Sequence, residues 1–250
     1  MSLTTIIGRG HSGTRAMSHT LSASGVAMGA PLNGSGDLVP PDDMYEACRI
    51  FAEHVSWKGG LSWNWDAVFA MDIPDAFTAK IRSYLRSVLE SDALHRGWKI
   101  PETTLCFPWI LRLFPDASYI FWIRDPRDCV LGSHVTDDLS RFGVEGPVSR
   151  CPEMQRAISW MYQYQLVKRT PKPRKWLEIR FEDFVLDQAV ALGRLEAFLG
   201  FPLARIPVRP EAVGRWRRQD PVNPALEEMG FLQPALAEYG YDVLETTDNH

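Results

Sequence analysis

The sequence has no hydrophobic run near the roughly 18 to 20 residues that a membrane span requires. Its longest apolar stretches, residues 105–111 and 119–123, fall far short, so no transmembrane helix is expected. The first residues lack a basic start, a long apolar core and a small-residue cleavage site, and run directly into Thr4-Thr5-Ile6-Ile7. A secretory leader is therefore not expected, and the expected location is cytoplasmic. Cysteine is scarce: 4 in 250 residues, at positions 48, 106, 129 and 151, with no C-x-x-C pair and no histidine cluster to complete a zinc site. They are expected to be reduced and mostly packed inside, and no metal is expected. An excess of positive charge is also missing. Lys and Arg number 27 against 31 Asp and Glu, a formal net charge of -4, so no global field draws in nucleic acid or an anionic membrane, and neither is an expected partner. Any anion site must be local. Internal repeats, low-complexity tracts and interdomain linkers are absent too, and the chain reads as one domain, residues 1–250.

What is present is an ordinary globular composition, 45% hydrophobic and 23% charged, in which strand-like and helix-like runs alternate. That alternation predicts an α/β fold of three layers, a central and mostly parallel sheet with helices on both faces. Strands are expected at 4–7, 97–101, 118–123 and 176–181. Helices are expected at 14–24, 42–54, 75–96, 108–114, 127–139 and 153–169, with a mostly helical remainder from 187 onward. Residues 25–41 hold four Gly and three Pro and read as a long loop or lid. Trp57, Trp63 and Trp65 sit among Gly, Ser and Asn, a composition that suits a substrate-side aromatic pocket as well as core packing.

Three constellations carry chemistry. In the first, the strand at 4–7 feeds Gly8-Arg9-Gly10-His11-Ser12-Gly13-Thr14 and then a helix, the arrangement in which backbone amides and a helix dipole form an anion cradle. Gly8 and Gly13 match the Walker spacing. Thr14 stands where that motif has lysine and Arg15 where it has the magnesium-binding hydroxyl, which disfavours ATP hydrolysis with Mg²⁺. In the second, Arg124-Asp125-Pro126-Arg127-Asp128 follows the strand at 118–123, at the sheet edge where ligands of α/β proteins collect. Arg124 there can hold a phosphate in a bidentate grip, or the four charged residues can pair among themselves at a helix start. The third is Lys99 with Glu102, a cation able to neutralise a leaving oxygen and a carboxylate able to take a proton, or simply two surface residues.

Taken together, Gly8 to Arg15, Trp98-Lys99-Ile100-Pro101-Glu102, the Arg124 to Asp128 segment, Arg180-Phe181-Glu182-Asp183-Phe184 and Gly214-Arg215-Trp216-Arg217 resemble the sulfotransferases that use 3'-phosphoadenosine-5'-phosphosulfate (PAPS). The resemblance implies a P-loop-like fold, PAPS as donor, adenosine 3',5'-bisphosphate as product, and no metal. It implies that Arg9, Gly10, His11, Ser12, Gly13, Thr14 and Arg15 hold the 5' end, that Arg124 with Ser133 holds the 3'-phosphate, and that Arg215 and Trp216 belong to a loop over the nucleotide. Lys99 is the implied cation at the departing oxygen. Glu102 is the first choice for the proton acceptor, with Glu46, Asp37 and His134 as alternatives. His11 stands where the family commonly has Lys or Arg before Ser-Gly-Thr, so either a protonated His11 or Arg9 or Arg15 supplies the charge. The expected acceptor is a small molecule or carbohydrate with a hydroxyl or amine. The competing readings are a P-loop nucleotide kinase and a nucleotide-binding protein without turnover.

Overall fold

Successive residues of a strand point to opposite faces of its sheet, and here both faces are covered. The computed structural model describes residues 1–218 and 228–241. Strands β1 (Ser2–Ile7), β4 (His95–Trp98), β5 (Ser118–Ile123) and β6 (Trp176–Arg180) form a sheet of order β4-β1-β5-β6 in which every pair is parallel. A two-stranded hairpin, β2 (Ser56–Trp57) with β3 (Trp63–Asn64), stands apart. On one face Ile6, Ile120, Trp122 and Ile179 pack against α1 (Thr14–Ala23), α9 (Phe181–Leu186) and α10 (Gln188–Leu199). On the other, Ile7, Trp98, Tyr119 and Phe121 meet α2 (Asp42–Ala52), α4 (Asp75–Tyr84), α6 (Phe107–Leu113) and α8 (Pro152–Arg169). The expected three layers are present, and the largely apolar run of β5, every residue of which is buried, is explained by cover on both sides. Shorter helices α3 (Asp66–Ala70), α5 (Arg86–Leu89), α7 (Pro126–Cys129) and α11 (Gln233–Glu238) complete the described elements. No described helix is long and apolar enough to cross a membrane.

Two expected helices are corrected. The run 75–96 is not one helix: α4 ends at Tyr84, α5 adds one turn, and His95 to Trp98 leave the helical pattern to pair with Ser2 to Thr5 of β1. Gly97 makes that possible, because a Cβ there would lie 2.4 Å from the Thr4 carbonyl oxygen. Sheet pairing overrides helical periodicity in this segment. The run 127–139 also breaks early. After α7 the chain turns at Gly132, extends at His134 and re-forms a 3₁₀ turn, Val135–Asp137, in which the Asp137 carboxylate accepts from the His134 backbone N–H. From residue 187 the expectation of mostly helix holds for α10. The chain is then irregular to Arg209, followed by 3₁₀ turns Pro210–Ala212 and Arg215–Arg218. The parts of that expectation at 219–227 and 242–250 lie outside the described residues.

The loop at 25–41 is observed as a loop, clamped to α1 where Ser18 Oγ donates to the Gly36 carbonyl at 2.9 Å. The tryptophan cluster divides. Trp63 and Trp65 pack against Tyr162 in the core, whereas Trp57 is 40% exposed. All four cysteines are unpaired; Cys48, Cys106 and Cys129 are buried and Cys151 is half-buried.

Candidate functional site

The site starts where β1 ends. Gly8 passes close beneath β5, since a Cβ there would lie 2.7 Å from the Trp122 carbonyl oxygen, and its N–H donates to Thr104 Oγ1 at 3.0 Å. The backbone then turns through His11 (φ 60) and Gly13 (φ 88), both in the left-handed region, before α1 begins at Thr14. For a residue with a side chain, such as His11, that conformation is strained. The first turn of α1 holds no acidic residue and Gly13 offers no side-chain cap, so the positive end of the helix dipole is left for an incoming anion. A Cβ at Gly13 would sit 2.5 Å from the Phe181 ring. Gly13→Ala combines that clash with an unfavourable φ, and is expected to cost about 1–3 kcal/mol in urea unfolding.

Beside this loop lies a cavity of about 530 Å³, lined by Gly10, His11, Gly13, Thr14 and Arg15 from the loop and by Lys99, Arg124 and Arg215 from three other segments. It sits at the carboxyl ends of β1, β4 and β5, where the strand order reverses around β1. Arg124, only 5% exposed, follows β5 directly. Its guanidinium donates to the His11 carbonyl at 3.2 Å, to Asp128 Oδ2 at 3.2 Å and to the Ala212 carbonyl, and stacks 4.3 Å from the Phe181 ring centre. The Nε atoms of Arg124 and Arg215 are buried without a partner. Buried donors of this kind are costly unless something accepts from them.

Asp128 organises the late loop. Its carboxylate accepts from the backbone N–H of Gly214 and of Trp216, each at 2.9 Å, while its carbonyl accepts from Arg215 at 3.1 Å. The second acidic residue of the segment, Asp125, pairs with Arg127 at 2.8 Å. The charges of this segment pair locally, as one of the two sequence readings has it, and Arg124 also lines the cavity.

Lys99 directly follows β4, lines the cavity and is 2% exposed. Its Nζ donates to the Ser35 carbonyl at 2.8 Å and to the Asp37 carboxylate, in a loop that Arg15 also grips through Ser35 Oγ at 3.0 Å. Burial lowers the Lys99 ammonium from its ordinary range while Asp37 pulls it back up. Burial, then the nearby Arg9 charge, lowers the His11 imidazole, and burial takes that of His134 down to about 3.

The sequence-predicted residues outside this cavity have identifiable places. Arg9 turns inward and forms a buried ion pair with Asp137, also donating to the Cys129 carbonyl at 3.1 Å. Ser12 Oγ donates to the Arg9 carbonyl. Ser133 is exposed, on a neighbouring groove. The Trp216 ring stacks 3.9 Å from the Arg127 guanidinium. Glu102, 1% exposed, lies toward α2, where it hydrogen-bonds with Tyr45; burial pushes its carboxyl up to about 7. Of the alternative proton acceptors, Asp37 and His134 line the cavity and Glu46 instead pairs with Arg49 at 2.6 Å. Sequence reasoning missed His19 and Arg209, which also line it. His19 is legible in retrospect, four residues after Arg15 on the same face of α1. Arg209 lies in irregular chain with no motif around it.

A parallel sheet between two helical layers, a glycine turn feeding an uncapped helix, and Lys99, Arg124 and Arg215 on one cavity wall define a P-loop-like α/β fold. The sulfotransferase family profile matches residues 4–205. The chain belongs to the sulfotransferase family. It is 25% identical over 173 residues to a protein-tyrosine sulfotransferase of Drosophila melanogaster, covering 58% of this chain and 34% of that protein. To protein-tyrosine sulfotransferase 2 of Gallus gallus it is 26% identical over 181 residues, 61% of this chain and 48% of that one. The matches thus span about a third to a half of the length of these curated relatives. Among solved structures, the sulfotransferase domain from the curacin biosynthetic pathway superposes with a TM-score of 0.54 at 13% identity, covering 97% of this chain and 98% of that one. The sulfotransferase domain of the Synechococcus PCC 7002 olefin synthase gives 0.55 at 15% identity, covering 97% and 96%. At these identities the likeness is one of fold.

Proposed function

We propose that this chain is a PAPS-dependent sulfotransferase acting on a hydroxyl or amine of a small-molecule or carbohydrate acceptor, in the reducing cytoplasm where its unpaired cysteines persist. The observation that carries this reading is the convergence on one cavity of the residue 10–15 loop, Lys99, Arg124 and Arg215, with two guanidinium Nε atoms buried and unpartnered. The donor set fits a nucleotide with anionic groups at two ends: backbone amides and the α1 dipole on one side, the Arg124 and Arg215 guanidiniums on the other. Bound there, PAPS would supply an activated sulfuryl group, with adenosine 3',5'-bisphosphate left behind.

Gly10, His11, Gly13, Thr14 and Arg15 would hold the 5' end and Arg124 with Arg215 the 3'-phosphate. Arg9, Ser12 and Trp216 act as supports, the first two bracing the loop from behind and the third fixing the 212–216 turn onto Asp125 and Asp128. Lys99 delivers positive charge to the oxygen that becomes anionic. Asp37 takes the place first assigned to Glu102 as proton acceptor, because its carboxylate is on the cavity wall beside Lys99 whereas Glu102 lies toward Tyr45. Geometry has to allow the proton transfer before acidity can matter. Asp37→Asn is expected to lower kcat by about 10²-fold with little change in bisphosphate affinity, measured by steady-state kinetics and calorimetry.

His11 links binding to pH. Its imidazole is lowered in the free protein, so it is neutral at pH 7, and an anion placed against it raises it again. Binding then takes up a proton at any pH between the free and bound values. Affinity for adenosine 3',5'-bisphosphate is expected to fall as pH rises from about 6 to 8, and to lose that slope in His11→Gln. Equal binding heats in two buffers of different ionisation heat, which would mean that no proton is taken up, would remove His11 from the site. The overall reading is tested by calorimetry with adenosine 3',5'-bisphosphate against ATP plus Mg²⁺, followed by incubation with PAPS and an acceptor panel. Preference for ATP with magnesium would make the chain a kinase, and bisphosphate binding without any sulfated product would make it a binding protein.

A further inference from the structure

His134 stands between two cavities. Its ring occupies the space that a side chain at Gly10 would need, 2.0 Å from where a Cβ would lie, and on that side it lines the cavity described above. On its other side it lines an open groove of about 950 Å³, between residues 133–156 and the end of β2. Asp37 and Lys99 line that same cavity with His134, so a molecule that passes His134 from the groove enters the space those two residues border.

The groove's walls say what that molecule is. Leu139, Val144, Pro147 and Val148 form one side and Trp57 borders it. Val148 is 90% exposed and Trp57 is 40% exposed, two large apolar side chains left open on the groove's lining. Charge on the lining is balanced. Arg156 is paired with Glu153 at 3.4 Å and Asp137 with Arg9, which leaves Arg141 against Asp138 and Glu145 and no positive excess. Among the described residues no cluster of guanidiniums forms there, and recognition of a polyanion needs one. The volume is at the upper end of the roughly 300–1,000 Å³ typical of small-molecule sites, more than a single ring fills.

Resting on the sulfotransferase reading above, we propose that this groove is the acceptor site and that the acceptor is an uncharged molecule with an elongated apolar body ending in a hydroxyl, rather than an acidic peptide or an anionic glycan. The apolar body lies along Trp57 and Val148, and the hydroxyl passes His134 to reach Asp37 and Lys99. Its O–H proton goes to a carboxylate, its oxygen forms the new O–S bond, and the old S–O bond breaks with its electron pair on the nucleotide's phosphate oxygen. Nothing is oxidised or reduced.

The test uses the full chain, 4-pentylphenol and 1-decanol as neutral probes, a tyrosine peptide flanked by glutamates, and a hexuronate oligosaccharide. With PAPS, kcat/KM for the better neutral probe should exceed that for either anionic acceptor at least tenfold. Calorimetry without PAPS should show Val148→Asp weakening 4-pentylphenol binding at least tenfold, while adenosine 3',5'-bisphosphate binds within twofold of wild type; Trp57→Ala should act in the same direction. Val148 is surface-exposed, so loss of folding does not confound the result. Preference for the peptide or the oligosaccharide, or a Val148→Asp variant that binds 4-pentylphenol as wild type does, overturns the proposal. Failure of wild type to bind the bisphosphate is a different result: it overturns the sulfotransferase reading and this acceptor assignment with it.

Discussion

Lys99→Ala is expected to lower kcat by about 10³-fold while changing the Kd for adenosine 3',5'-bisphosphate less than threefold. The size follows from what removal of one preorganised donor at a developing negative charge typically costs, about 10²- to 10³-fold. The upper end is appropriate because this ammonium is 2% exposed, and water cannot readily replace it. The split between rate and affinity matters more than the size. A group that stabilises charge only as the bond to the leaving oxygen breaks affects the rate, whereas one that grips the bound nucleotide affects both. Equal losses in kcat and affinity would make Lys99 a binding residue. Because Asp37 loses its partner in this variant, thermal unfolding should accompany the kinetics. The double variant Lys99→Ala with Asp37→Asn removes both charges, and should recover stability without recovering rate.

The second large effect is structural. Asp128→Ala is expected to destabilise the protein by about 3–5 kcal/mol in urea unfolding, the usual result of stripping one partner from a buried ion pair. The carboxylate is fully buried, and it accepts from Arg124 and from the backbone of Gly214 and Trp216. Its loss leaves a buried guanidinium uncompensated and two amides without acceptors. Asp128→Asn keeps one carbonyl acceptor and should cost less. In both variants the 212–216 turn is freed, and bisphosphate affinity should fall at least tenfold. An Asp128→Ala protein that melts with the wild type would show that water satisfies these groups and that the turn does not depend on them.

Much of this was legible from residue order. The buried strand β5 announces itself as an apolar run, and the glycine turn after β1, Lys99 and Arg124 occur in the sequence at the places where the fold brings them to one cavity. Sequence and structure part where a local signal is opposed by a distant one. Phe77, Ile81, Leu85 and Val88 keep helical spacing, yet pairing with β1 captures the chain from His95 onward. Glu102 follows Lys99 by three residues, but the 3₁₀ turn Pro101–Cys106 carries it toward α2 and Tyr45, while Asp37, distant in sequence, folds over Lys99. Arg9 reads as a phosphate ligand by position and turns inward because Asp137 is buried there. No spacing rule reports which of two adjacent side chains faces inward when the backbone turns through a positive φ, as it does at His11.

The same loop carries a constraint on how this protein can diverge. Rings are wedged against glycines around it: His134 and Phe181, from two other segments, at Gly10 and Gly13, and the loop's own His11 at Gly132. Each glycine and its ring are a matched lock and key, so neither half can be exchanged alone. Restoring a lysine at position 11 would leave a notch beside Gly132 that only a larger residue there could fill. Descendants of this chain should therefore change positions 11 and 132 in concert or keep both.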